Sequence, residues 1–120
     1  MSHFEIDVSE LQPATRSVLA AALAYARRNR QTKTHTVGLD EFYRLADLGD
    51  EIPITNLMGW VAEAMATNVF SPDYEAEVLR GWPVFNSIYV SRSGVEFEIN
   101  PIALDAEEFP LTSNQRDTAG

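Results

Sequence analysis

Residues 82–99 read WPVFNSIYVSRSGVEFEI, and this stretch decides the fold. Residues 84–90 are mostly apolar, β-branched or aromatic, which is typical of a strand, and residues 91–94 are turn formers. Residues 95–99 alternate apolar and acidic side chains, as a strand with one buried and one solvated face does. The stretch therefore predicts a β-hairpin with one dry face.

A first helix is predicted to begin near Ser9, well upstream of the hairpin. Ser9 and Gln12 match a capping box, and Pro13 suits a first helical turn because its missing N–H has no partner there. Apolar residues recur at helical spacing over residues 18–26. We expect this helix to extend to about Asn29.

Two more helices and a short strand are predicted before the hairpin. Residues 32–37 are polar and β-branched, which favours a strand or an extended linker. Residues 39–48 carry an apolar stripe that ends at Gly49, a natural helix stop. The clearest amphipathic pattern is the predicted core stripe of the third helix, which consists of Ile54, Leu57, Met58, Val61, Ala64 and Met65.

The remaining segments set the domain limits. After Asn68 the pattern becomes extended, and Pro72 is expected to end that segment. Residues 73–81 are acidic and have no clear period. From residue 105 the chain is mainly polar, so we expect one domain over residues 1–104 and a disordered acidic, polar tail over residues 105–120.

The order helix, short strand, helix, helix, hairpin predicts an α+β winged helix. In this fold three helices pack on a small antiparallel sheet whose hairpin is the wing. Residues 37–48, 53–65 and 82–103 resemble a winged-helix domain of iteron-type plasmid replication initiator proteins. The resemblance implies a role in replication or its regulation on a mobile element. The third helix has no Lys or Arg, so we expect action mainly through protein contacts.

The charge of the chain is divided into a basic pole and an acidic pole. The 120 residues include 18 acids and nine Lys or Arg, which gives a net charge of -9. Residues 11–39 hold five cations and no acid, whereas residues 45–79 hold seven acids and no base. A charged partner must therefore match one pole or the other.

Each pole predicts a candidate surface. Weak, nonspecific contact with the DNA backbone is expected from Arg27, Arg28, Arg30, Lys33 and Arg92. The alternative role of the arginines at the end of the first helix is to stabilise that helix end. A protein interface is expected from Trp60, Asp47, Asp50, Glu51, Asp73, Glu75 and Glu77. Its partner would be a protein with a basic surface, or a second copy in a dimer.

Enzymatic activity is not expected. The chain has no cysteine, and His3 and His35 alone do not supply a hydrolase triad or a zinc site. No glycine-rich loop precedes a helix, so the sequence offers no candidate for cradling a phosphate. We expect neither cofactor nor metal. The alternative to the initiator-like function is an acidic inhibitor that occupies the nucleic-acid site of another protein, such as an anti-CRISPR, anti-restriction or toxin-immunity protein. Without a membrane span or a leader, we expect a cytoplasmic protein.

Overall fold

The computed structural model describes residues 4–49 and 51–109. Over these residues the chain is a mixed α+β domain with four helices and two sheets. The elements are β1 (Glu5–Asp7), α1 (Pro13–Arg28), β2 (Thr34–Val37), α2 (Leu39–Leu45), α3 (Ile54–Met65), β3 (Asn68–Asp73), β4 (Val78–Pro83), β5 (Phe85–Ser91), β6 (Gly94–Ile99), α4 (Pro101–Leu104) and β7 (Glu107–Phe109). No helix in this part of the chain is both long and apolar enough to cross a bilayer.

The predicted hairpin is confirmed as β5 and β6, and it belongs to a three-stranded antiparallel sheet. β2 pairs with β6, so the strand order is β2-β6-β5. Phe97 of β6 is fully buried and makes edge contacts with the rings of Phe42 and Phe85. Gly94 is required at the start of β6, because a Cβ there would lie 2.3 Å from the Val37 carbonyl oxygen.

Helix α1 is held at its first turn by α3 rather than by the predicted capping box. Its N-cap is Gln12, whose side chain makes no cap bond, and Ser9 instead bonds to Asp7. The Gln12 backbone N–H and side-chain amide donate to the two carboxylate oxygens of Glu63, at 3.1 and 2.9 Å. These two hydrogen bonds, the side-chain one foremost, lower the pKa of the Glu63 carboxyl.

Helix α2 ends three residues earlier than the stripe over residues 39–48 predicts. Asp47 and Gly49 both adopt left-handed backbone conformations, with φ of 54° and 84°. The chain therefore leaves the helix after Leu45 and turns toward α3. The turn is fixed by the Tyr43 hydroxyl, which donates to the Ile52 carbonyl oxygen at 3.1 Å.

The second sheet has the strand order β4-β3-β1-β7, with β1 antiparallel to β3 and parallel to β7. The prediction that Pro72 ends the extended segment is wrong, because β3 continues to Asp73 and pairs with β4 along its length. On the opposite side of β3, the described part of β1 pairs only with Val69 and Phe70. Pro72 lies beyond that pairing, where a missing N–H costs no ladder bond.

The chain remains structured beyond residue 104, where we expected the tail to begin. Ala106 is buried, and the Glu107 N–H donates to the Phe4 carbonyl oxygen at 2.9 Å. Strand β7 then pairs with β1. The remainder of the predicted tail, residues 110–120, lies outside the described residues.

Candidate functional site

Two of the cations predicted to contact DNA are bound to the chain itself. Arg27 Nε donates to the Leu104 carbonyl oxygen, and Arg27 Nη2 donates to the Ala106 carbonyl oxygen, both at 3.0 Å. Arg30 Nη2 lies 3.3 Å from the Leu104 oxygen and forms an ion pair with Asp105 at 3.2 Å. Carbonyls at a helix end have no intrahelical partner, so these arginines complete the C-terminal end of α4.

The other three predicted DNA contacts do not form one surface. Arg28 and Lys33 are exposed and have no polar partner among the described residues. Lys33 precedes Thr34, which pairs with Glu98 near the end of β6, whereas Arg92 lies in the turn before β6 begins. About one strand length, ~16 Å, therefore separates Arg92 from Lys33.

The acidic pole is also divided into two groups. Asp47 and Glu51 lie on the loop between α2 and α3, and Asp50 between them lies outside the described residues. Asp73, Glu75 and Glu77 lie at the turn between β3 and β4, which follows α3 in the chain. The predicted interface residues are thus carried by two different loops.

We call residues 68–83 the hairpin arm and Asp73, Glu75 and Glu77 its acidic tip. Glu77 adopts a left-handed conformation with φ of 57°, and Asp73 Oδ1 accepts a hydrogen bond from the Ala76 N–H at 3.1 Å. These features close a four-residue turn between the two strands. Glu75 and Glu77 have no ion-pair partner in the described part of the chain, so their charges face solvent.

Large apolar side chains are exposed beside the acidic tip. Tyr74 is 84% exposed and Leu79 is 66% exposed. They line a concavity of about 340 Å³ together with Pro72 and Glu77, and a second concavity of about 540 Å³ also adjoins the tip. Exposed aromatic and aliphatic groups within a charged rim are typical of a protein-binding surface.

The base of the hairpin arm is fixed to the domain. Trp82 packs edge-on against Phe4, with ring centroids 5.9 Å apart. Val69 is fully buried, and the ring of Phe70 covers Gly81 so closely that a Cβ there would lie 3.3 Å from it. The acidic tip is therefore presented from a packed base.

Helix α3 exposes part of the stripe that we expected to be core. Leu57, Val61 and Ala64 are buried as predicted, but Met58 and Met65 are 50% and 47% exposed, so their assignment to the core is wrong. With the exposed Ala62 they form an apolar face at i, i+4 and i+7. Sequence reasoning missed this face because helical periodicity shows which residues share a stripe, but not how much of that stripe the neighbouring elements bury.

Trp60 of the predicted interface is half-buried and packs against the core. Only part of its indole is therefore available to a partner. This placement differs from that of Tyr74 and Leu79, which sequence reasoning did not single out. The signal that could have found them is the run of two strand formers, Val78 and Leu79, directly after an acidic turn.

His35 is buried within the aromatic core. It packs against the rings of Tyr25 and Phe97, and its Nδ1 has no hydrogen-bond partner among the described residues. Desolvation lowers the pKa of the imidazole, which favours its neutral form. Over residues 4–49 and 51–109, no three His, Asp or Glu side chains are placed to hold a metal ion.

Comparison with protein-family models, with curated proteins and with solved structures finds no match to this chain. Function is therefore inferred from the residues and geometry of this chain.

Proposed function

We propose that this chain is a non-enzymatic winged-helix protein related to iteron-type plasmid replication initiators. It would act in the cytoplasm, in replication or its regulation on a mobile element, mainly through protein contacts. The winged-helix assignment is supported by the order α1, β2, α2, α3 and by the pairing of β2 with the second strand of the β5–β6 hairpin. The hairpin arm is an insertion between α3 and that wing.

One observation carries the emphasis on protein contact. The hairpin arm exposes Tyr74 and Leu79 beside the acidic tip, whereas Arg27 and Arg30 bind the carbonyl groups of α4. The chain thus presents an apolar surface with a negative rim, and it uses part of its positive charge internally. A protein with a basic surface is the partner that this arrangement complements.

DNA contact is a minor part of this proposal. Arg28, Lys33 and Arg92 are the predicted contacts that remain without a polar partner among the described residues. Helix α3, which would enter the major groove in a DNA-reading winged helix, exposes Met58 and Met65 and carries no cation. The remaining cations support only weak, salt-sensitive contact with phosphates.

A second candidate function is favoured by the solvent-facing charges of the acidic tip. Three carboxylates on one turn resemble a short run of phosphates, so the chain would act as an inhibitor that occupies the nucleic-acid site of a defence protein or a toxin. The two functions differ in one measurable respect. Excess duplex DNA displaces the chain from its partner only if both bind the same site.

The experiment is affinity capture from the native host with the wild-type chain and two charge-reversed variants. Glu75→Lys and Glu77→Lys together alter the acidic tip and keep the Asp73 hydrogen bond that closes the turn, and Asp47→Lys with Glu51→Lys is the matched control with the same change in charge. The proposal predicts a captured protein that is lost with the first variant and retained with the second. Equal capture by both variants, or capture only of DNA, would contradict it.

A further inference from the structure

The outer edge of β4 is an uncovered strand edge. β4 is the terminal strand of the second sheet, and no described residue pairs with its free side. Residues 78–81 are all exposed, so no helix or loop in the described part of the chain covers this edge. A strand edge of this kind is a template for pairing with another chain.

The register shows which backbone groups point outward. Thr67 directly precedes β3 and Val84 directly follows β4. The Val84 N–H donates to the Thr67 carbonyl oxygen at 3.1 Å, so Thr67 and Val84 form the first hydrogen-bonded pair of the ladder. Such pairs alternate along an antiparallel ladder, which assigns Trp82, Arg80 and Val78 to bonds with β3. Leu79 and Gly81 therefore direct their N–H and C=O groups away from the sheet.

The side chains beside this edge provide a site for an apolar residue of an added strand. Leu79 lies opposite Pro72 in the ladder, and the two side chains share one face of the hairpin arm. With Tyr74 they line the concavity of about 340 Å³. An added strand that bonds to Leu79 and Gly81 would pass next to this concavity.

We propose that the outer edge of β4 binds an extended, basic segment of a partner protein as an additional strand. This inference rests on the proposed function and specifies its contact. The acidic tip lies at one end of the edge, so cationic side chains on the added strand are attracted to it. The backbone bonds would supply affinity, and the concavity would select an apolar side chain.

The charges of the chain disfavour a second copy as the added strand. A symmetric antiparallel pair in which Leu79 of one copy bonds Gly81 of the other would place Arg80 directly opposite Arg80. It would also bring together two chains that each carry a net charge of -9.

The test is amide hydrogen exchange by NMR on the full chain, with a short peptide of alternating lysine and valine as the probe. We expect the peptide to slow exchange at Leu79 and Gly81, whereas Arg80 is already bonded to β3. A peptide of alternating glutamate and valine should have no effect. Leu79→Pro removes one outward donor and should lower the affinity about tenfold, whereas Arg80→Ala, the matched control, should not.

Three results would overturn the inference. The first is that the lysine peptide leaves the exchange rates of the Leu79 and Gly81 amides unchanged. The second is that the acidic peptide protects these amides equally. The third is that the chain without peptide forms a stable dimer in which these amides are already protected. The wild-type exchange data decide the matter even if Leu79→Pro unfolds the hairpin arm. If affinity capture depends on the acidic tip while these amides remain unprotected, the proposed function stands and only the strand-addition inference fails.

Discussion

Arg27 Nε donates a hydrogen bond to the carbonyl oxygen of Leu104 at 3.0 Å, which joins the last turn of α1 to the end of α4. The same guanidinium donates to Ala106, a buried residue directly before β7. A cation that a charge count assigns to DNA binding is thus the link between the first helix and the final elements. Its loss should affect folding before it affects binding.

Arg27→Ala is therefore expected to destabilise the chain by about 1 to 3 kcal/mol, because two carbonyl groups lose a charged hydrogen-bond donor. Arg28→Ala is the matched control, since Arg28 is exposed and has no polar partner among the described residues. Urea unfolding of both variants provides the measurement. Equal and small effects would show that the contact with α4 is unimportant.

Leu57→Ala is expected to lower the free energy of unfolding by about 2 to 5 kcal/mol, because the Leu57 side chain is fully buried where α3 packs on the core. Met58→Ala should cost under about 1 kcal/mol, because that neighbouring side chain is half exposed. The same unfolding experiment distinguishes the two residues. A reversed order would mean that α3 packs through its other face.

Stability should fall as the pH drops below the ordinary imidazole pKa of 6.5, because burial lowers the pKa of His35. The unfolded chain then binds a proton that the folded chain resists, so the free energy of unfolding declines as the pH falls below about 6.5. His35→Phe should flatten this slope. The measurement is urea unfolding at a series of pH values, and an unchanged slope in the variant would refute the prediction.

DNA binding should be weak and should not depend on sequence. With no more than three free cations from the predicted set, the slope of log affinity against log salt should be no steeper than about -3. Replacing Arg28, Lys33 and Arg92 with alanine should abolish the binding measured by fluorescence anisotropy. Tight, sequence-specific binding that survives this change would contradict the assignment of these cations.

The sequence predicted the parts of the fold whose patterns are local. The alternation at residues 95–99 identified β6, and the apolar spacing around Leu57 and Val61 identified α3. β1 and β7 were missed because each has only three residues, and their pairing joins parts of the chain about 100 residues apart. Pro72 was misinterpreted because a strand tolerates proline where no neighbouring strand needs its N–H, and the sequence does not show how far β1 extends along β3.

The candidate site could be predicted in composition but not in arrangement. The acids of residues 45–79 were found by counting, yet the structure places Asp47 and Glu51 on the loop before α3 and the acidic tip at the turn between β3 and β4. The basic pole likewise divides, because Arg27 and Arg30 reach carbonyl groups more than 70 residues away in the sequence. Charge counts do not report such tertiary partners.

The central claim is that the hairpin arm is the protein-binding surface. Its most direct test is the association rate of the captured partner at low and high salt, with the wild-type chain, the Glu75→Lys and Glu77→Lys variant, and the Asp47→Lys and Glu51→Lys control. We expect the arm variant to associate at least about tenfold more slowly at low salt, with the difference reduced at high salt, while the control matches the wild type. Wild-type rates for the arm variant at both salt concentrations would contradict the claim.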